Sequence, residues 1–306
     1  MLRCMDVLHD LRGIITVLNT PFTADDRIDV AGLRRNVTNA LAAGVAGFLV
    51  PAMASEVDAL SPEERDLLVR ETIAMAAGKS AVIGGASAGS RAERLQVGAR
   101  LLELGCDGIL VSVPYENPVQ YESEVRAMAD LAPPFLMIQD WDSAGSGVPV
   151  PVLTSLFAAV PAFECLKVET VPAGVKYTAV LDATGGRLHV SGGWAVTQLI
   201  EALDRGVHAL MPTGMHAIYT RIYRLYAAGD RNAAQMLFHK LAPVLAFSNQ
   251  HLDISIHFFK RLLHYQGVYA TSRVRAPKLA FDAYHARIAE ELIAHVSAIE
   301  ADMHRS

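Results

Sequence analysis

Lys167 stands inside the apolar run Cys165-Leu166-Lys167-Val168. A run of that kind reads as a buried strand, where a charged amine is costly unless it is paired or neutral. Burial favours the neutral amine, and a neutral amine is a nucleophile suited to forming a Schiff base with a carbonyl. Glu169 lies two residues further along and projects to the same side of the strand, so a purely structural Lys167–Glu169 pair is the competing reading. The residues alone leave both open.

Short apolar runs alternate with amphipathic stretches. The runs are Gly13–Leu18, Gly47–Val50, Ala81–Ile83, Gly108–Val113, Phe135–Ile138, Cys165–Val168, Leu188–Val190 and Ala209–Met211. Unbroken apolar runs of this length suit strands buried on both faces, as in a parallel sheet. Helical periods lie between them, for example Val30, Leu33, Val37 and Leu41. Ser61-Pro62-Glu63-Glu64 is a helix start: Ser61 caps, Pro62 suits the first helical position, and Glu64 completes a capping box. An internal repeat joins the pattern. Ala43-Gly44-Val45-Ala46-Gly47-Phe48-Leu49-Val50 resembles Leu104-Gly105-Cys106-Asp107-Gly108-Ile109-Leu110-Val111, and Arg205-Gly206-Val207-His208-Ala209-Leu210-Met211 is a weaker copy. Each reads as a helix ended by glycine, with a strand beginning about three residues later.

Eight such units favour a (β/α)8 TIM barrel with a C-terminal helical extension, with an open doubly wound sheet as the alternative. Residues 1–226 read as the barrel. Residues 227–306 read as the extension, with helices over Asp230–Phe247, Ile254–Tyr265 and Leu279–His304. In such a barrel, function sits at the C-terminal ends of strands. Those ends carry Asn19-Thr20, Met53-Ala54-Ser55-Glu56, Ser87, Pro114-Tyr115-Glu116, Gln139-Asp140, Lys167-Glu169, Ser191-Gly192 and Met211-Thr213.

Length and composition agree with this frame. The chain has 306 residues, 52% of them hydrophobic, and a formal charge of −5, so no basic surplus draws it to nucleic acid or anionic lipid. Cys4, Cys106 and Cys165 lack C-x-x-C spacing, which excludes a disulfide framework and a cysteine zinc site and fits a reducing compartment. Neither a secretion signal nor a membrane span is expected, and the Asn36-Val37-Thr38 acceptor pattern is only formal. Gly84-Gly85-Ala86-Ser87-Ala88-Gly89 lacks the Gly-Lys-Ser/Thr ending of a phosphate loop and reads as a tight turn. His251 and His257 are wrongly spaced for two ligands on one helix face, so no metal and no other cofactor is expected. Arg221, Arg224 and Arg231 read as a solvated face or an oligomer contact.

The ordered set of motifs resembles the dihydrodipicolinate synthase / N-acetylneuraminate lyase family of Schiff-base-forming class I aldolases, over nearly the whole chain. Gly13 to Thr20-Pro21-Phe22 is similar to its opening strand and T-P-F turn. Glu56-x-x-x-Leu60-Ser61-x-Glu63-Glu64 is similar to the end of its G-T-T-G-E motif. Pro114-Tyr115 with Pro118 resembles its segment after the fourth strand, Leu166-Lys167 falls at its I-K-E lysine, and Ser191-Gly192-Gly193 resembles its S-G-D segment. The resemblance implies a (β/α)8 lyase in which Lys167 forms the Schiff base. It further implies that the backbone of Met53 and Ala54 holds the substrate carboxylate, that Tyr115, Glu116, Gly192 and Met211 line the site, and that the chains form a homo-oligomer, dimer or tetramer.

The departures from the family pattern change the expected chemistry. Its two carboxylate-binding threonines are replaced by Met53 and Ala54, and Gln139 falls at its catalytic tyrosine. A glutamine does not relay protons as a phenol does. Glu116, Asp140 and Glu169 are expected around Lys167, and one of them, Glu169 or Asp140, is expected to serve as general acid and base in the tyrosine's place. An acidic pocket disfavours substrates bringing further carboxylates and suits a hydroxylated 2-oxo acid. The expected protein is a cytoplasmic lyase acting on pyruvate or a 2-oxo sugar acid, by aldol cleavage or dehydration. The rivals are a non-catalytic metabolite-binding barrel and an obligate structural subunit.

Overall fold

A computed structural model describes residue 8 and residues 10–193 and 196–305. Cys4, one of the three cysteines, lies outside the described residues. Eight strands form: β1 (Gly13–Val17), β2 (Gly47–Leu49), β3 (Ala81–Gly85), β4 (Gly108–Ser112), β5 (Leu136–Asp142), β6 (Phe163–Thr170), β7 (His189–Gly192) and β8 (Ala209–Leu210). They close in sequence order into a barrel, with parallel pairing. The expected TIM barrel is therefore the fold, and the doubly wound alternative falls. Eleven described helices connect and extend it: α1 (Val30–Ala43), α2 (Pro62–Ala76), α3 (Arg91–Leu104), α4 (Pro118–Ala129), α5 (Val150–Ala159), α6 (Ala173–Thr184), α7 (Leu199–Asp204), α8 (His216–Ala227), α9 (Arg231–Ser248), α10 (Leu252–Tyr265) and α11 (Ala283–Arg305).

The repeated glycine joints share one set of bonds. Gly44, Gly105 and Gly206 sit at φ of +83°, +94° and +86°, a region open to glycine at little cost. Their N–H groups donate to Leu41, Leu102 and Leu203. The next N–H groups, of Val45, Cys106 and Val207, reach back to Ala40, Leu101 and Ala202. This is the Schellman arrangement, which satisfies the last helix carbonyls. One residue later, the N–H groups of Ala46, Asp107 and His208 donate to Ile14, Val82 and Val190 of the preceding strand. Each joint thus ends a helix and enters the barrel within three residues.

Helix starts are equally local. Ser61 Oγ accepts from Glu64 N at 3.3 Å while Glu64 Oε2 accepts from Ser61 N at 3.0 Å, the expected capping box of α2. Ser90 and Glu93 do the same for α3. The helix α11 begins at Ala283, not at Leu279, because Asp282 caps it, accepting from His285 N at 2.9 Å. Strands β5 and β6 outrun the apolar runs that marked them, since polar residues continue the ladder from Gln139 opposite Lys167 to Asp142 opposite Thr170.

The chain folds into two compact units, each assembled from separate stretches of sequence. The first is Met1–Ile15, Ala46–Leu49 and Ala81–Pro212, which takes in nearly all of the strand set and α3 to α7. The second is Thr16–Val45, Val50–Ser80 and Thr213–Ser306, with α1, α2 and α8 to α11. Among the described residues no helix is long and apolar enough to cross a membrane. Asn36 is buried, with His216 and Tyr269 as hydrogen-bond partners, which removes the formal glycosylation site.

Candidate active site

In the first unit, the barrel register sets Gln139 on β5, Lys167 on β6 and Ser191 on β7 side by side. Lys167 is 6% exposed, Gln139 8%, and Ser191 fully buried. The Lys167 ammonium lies 3.1 Å from Glu169 Oε1. Gln139 Nε2 donates to Glu169 Oε2, so the carboxylate holds the amine with one oxygen and the amide with the other. A Cβ on residue 193 would collide with this side chain, so any larger residue there would displace the carboxylate. The ion pair that competed with the nucleophile reading is therefore real. It does not exclude that reading, because an ammonium–carboxylate pair and its amine–carboxylic acid tautomer contain the same proton.

Asp140 does not join the group. It points the other way from β5, 3.0 Å from Lys176 Nζ of α6, and accepts from Val148 N at 2.9 Å. Alternation along the strand is the reason: Gln139 and Asp140 are consecutive and face opposite sides. Burial pushes the Asp140 carboxyl upward, against the bond from Val148 and the charge of Lys176. Glu116 is exposed, and of the three carboxylates expected around Lys167 Glu169 is the one ion-paired with it among the described residues. Tyr115 is half-buried, its ring edge-on to Tyr121 at 5.5 Å. Gly192 is set against α6, where a Cβ would lie 2.7 Å from Tyr177 Oη, and Met211 is buried with its N–H bonded to Gly192 O at 2.8 Å. The Tyr177 hydroxyl makes no hydrogen bond among the described residues, and burial, with the charge of Glu169 second, pushes its pKa upward.

The second unit holds Met53 and Ala54 on a single 3-10 turn, Met53–Ser55. Met53 is 49% exposed. The turn is held from below. Ser55 Oγ donates to Leu18 O and accepts from Ala52 N at 3.0 Å; Asn19 Nδ2 donates to Ala54 O at 2.8 Å; Thr20 Oγ1 donates to Ser55 O at 2.6 Å. Asn19 is itself held by Thr213, and its carbonyl accepts from Tyr269 Oη at 2.7 Å. Tyr269 continues through Asn36 and His216 to Thr16.

Sequence reasoning missed a buried lysine in this unit. Lys260 of α10 is fully buried, ion-paired with Glu56 and 4.2 Å above the Phe22 ring. Arg275 donates its backbone N–H to the other Glu56 oxygen at 2.7 Å and pairs with Glu64. Burial lowers Lys260 to about 8 and raises Glu56. The available signal was a lysine next to Phe258-Phe259 on the apolar face of an amphipathic helix.

The closed barrel, with Lys167 buried within its sixth strand, defines the fold class: a (β/α)8 barrel. The chain belongs to the dihydrodipicolinate synthetase family, whose model matches residues 10–296. It is 28% identical over 298 residues to the 4-hydroxy-tetrahydrodipicolinate synthase of Xanthomonas campestris pv. campestris, covering 95% of this chain and 96% of that one. It is 27% identical over 240 residues to the enzyme of the same name from Methanosarcina barkeri, covering 76% and 81%. The fold matches the dihydrodipicolinate synthase of Rhodopseudomonas palustris with a TM-score of 0.86 at 20% identity, over 94% and 98% of the chains. It also matches the N-acetylneuraminate lyase of Fusobacterium nucleatum with a TM-score of 0.79 at 18% identity, over 92% and 98%.

Proposed function

We propose that the protein is a Schiff-base lyase acting on a hydroxylated 2-oxo acid, with Lys167 as nucleophile and Glu169 as its acid and base. The observation that carries this reading is the buried Lys167 held 3.1 Å from a single carboxylate, itself fixed by Gln139. Transfer of the shared proton leaves a neutral amine beside a carboxylic acid. The amine attacks C2 of the substrate, and the carboxylic acid protonates the departing hydroxyl, which leaves as water. The Glu169 carboxylate then takes the proton of the C4 hydroxyl. The C3–C4 bond breaks, its electrons flow into the iminium, and an aldehyde departs. Glu169 returns the proton to C3 of the enamine, and water hydrolyses the resulting iminium to pyruvate and free amine. Run backwards, the same steps condense pyruvate with an aldehyde. Gln139 orients Glu169 and relays no proton.

The substrate carboxylate is assigned to the backbone of Met53 and Ala54 on the family resemblance, supported by the hydrogen bonds that fix their turn. Tyr115, Gly192 and Met211 remain on that same ground the neighbours of the substrate. Replacement of the family's threonines and tyrosine argues against 4-hydroxy-tetrahydrodipicolinate synthesis itself. We take the protein to work in the cytoplasm as a homo-oligomer; the buried thiol of Cys106, outside any disulfide, supports a reducing compartment.

Borohydride reduction with pyruvate and with 4-hydroxy-2-oxo acids, followed by peptide mass spectrometry, tests the mechanism. The expected result is an adduct on the Lys167 peptide and release of pyruvate from the hydroxylated acids. Loss of water with retention of the carbon chain would assign a dehydratase instead. No adduct on folded protein would leave a metabolite-binding barrel.

A further inference from the structure

The β5–β6 ladder continues beyond Lys167, placing Trp141 opposite Glu169 and Asp142 opposite Thr170. Side chains alternate along a strand, so Trp141 shares its face with Gln139, the residue that holds Glu169. Gln139 is 8% exposed, whereas Trp141 is 52% exposed. The strand end that carries the indole is braced. Asp142 accepts from Ala144 N at 3.0 Å and Gly147 N at 3.1 Å, Asp140 accepts from Val148 N, and Lys176 holds Ser146 O at 2.6 Å. An indole half in water on this braced strand end, opposite Glu169 in the ladder, is a large flat apolar surface open to a ligand.

The surrounding strand ends are poor in cations. Across residues 112–117, 139–148 and 167–176 the basic side chains are Lys167, paired with Glu169, and Lys176, which is buried and paired with Asp140. The rim past β6 is apolar, with Val171 61% exposed and Val175 60%. A substrate tail bearing a second carboxylate or a phosphate would find no counter-charge there.

We propose that Trp141 recognises the tail of the substrate, and that this tail, the group attached to C4 of the 2-oxo acid, is a flat, uncharged, apolar group such as an aryl ring stacked on the indole. The aldehyde released is then an aromatic aldehyde. The inference rests on the Schiff-base reading given above.

The test compares 4-hydroxy-2-oxo acids that differ only at C4, with phenyl, methyl, polyhydroxyalkyl or carboxymethyl tails, in wild type, W141F and W141A. Wild type is expected to have its highest kcat/KM for the phenyl tail. The phenyl-to-methyl ratio is expected to fall about tenfold in W141A and to be largely kept in W141F. A wild-type preference for polyhydroxylated or carboxylated tails would overturn the proposal. So would an unchanged ratio in W141A, including the case in which gel filtration shows a smaller oligomer because a second copy covers the indole. Borohydride trapping with pyruvate separates the two failures. An adduct with no tail preference removes only the role of Trp141, and no adduct removes the Schiff-base reading with it.

Discussion

Replacing Glu169 by glutamine perturbs stability and chemistry in ways the structure makes calculable. Both partners of the pair are 7% exposed at the side chain and 3.1 Å apart. Removing one partner of a buried pair leaves an uncompensated charge, at a cost of about 3–5 kcal/mol, whereas an apolar replacement of both is close to neutral. E169Q is therefore expected to lower the urea midpoint well below that of the double variant K167M/E169L. Activity separates differently. Loss of a positioned acid–base group typically lowers turnover by about 10²–10⁴-fold, while loss of the nucleophile abolishes the covalent route. E169Q should still trap pyruvate slowly under borohydride but release aldehyde at about a hundredth of the wild-type rate or less; K167M should trap nothing. Turnover of E169Q within threefold of wild type, or equal stability of E169Q and the double variant, would refute the reasoning.

Gly193→Ala places a methyl group on the Glu169 carboxylate and is expected to cut kcat about tenfold or more while pyruvate trapping persists, read by steady-state kinetics. Tyr269→Phe removes the donor to Asn19 O and leaves Asn36 with one partner fewer; KM for the 2-oxo acid should rise several-fold with kcat little changed, as expected if the network positions the carboxylate turn. His189 and His216 are both held neutral by burial, each lowered to about 4. Their folded pKa lies below the unfolded value, so the unfolded chain binds more protons between about pH 4 and 6.5. Their stabilisation is full above that window and is lost as pH falls through it, by roughly 3 kcal/mol for each histidine. Urea midpoints at pH 7 and pH 4.5 should show the loss, and H216N should reduce it.

The strand positions were legible because buried parallel strands are runs of apolar residues, and the joints were legible because a left-handed helix end selects glycine. The nucleophile was visible for the opposite reason: Lys167 violates its own run. Glu169 followed from period two. Asp140 was misplaced because consecutive residues were grouped without applying that same period to β5. Glu116 lies beyond the last residue of β4, where no alternation fixes a direction. The pairing of Lys260 with Glu56 escaped since it spans 204 positions of sequence, a separation no local pattern reports. Trp141 received no role because strands were counted as apolar runs, which ended β5 at Ile138 although the strand continues to Asp142.

The brace around residues 143–148 carries a consequence for how such a protein changes over time. Barrel enzymes usually acquire new substrates by lengthening or shortening the connections above their strands. Here that route is closed at β5, since an inserted residue would detach the connection from Asp140, Asp142 and Lys176 together. Diversification at this edge must then proceed by exchanging single side chains on an unchanged backbone, and Trp141 is the position at which one exchange alters the most surface.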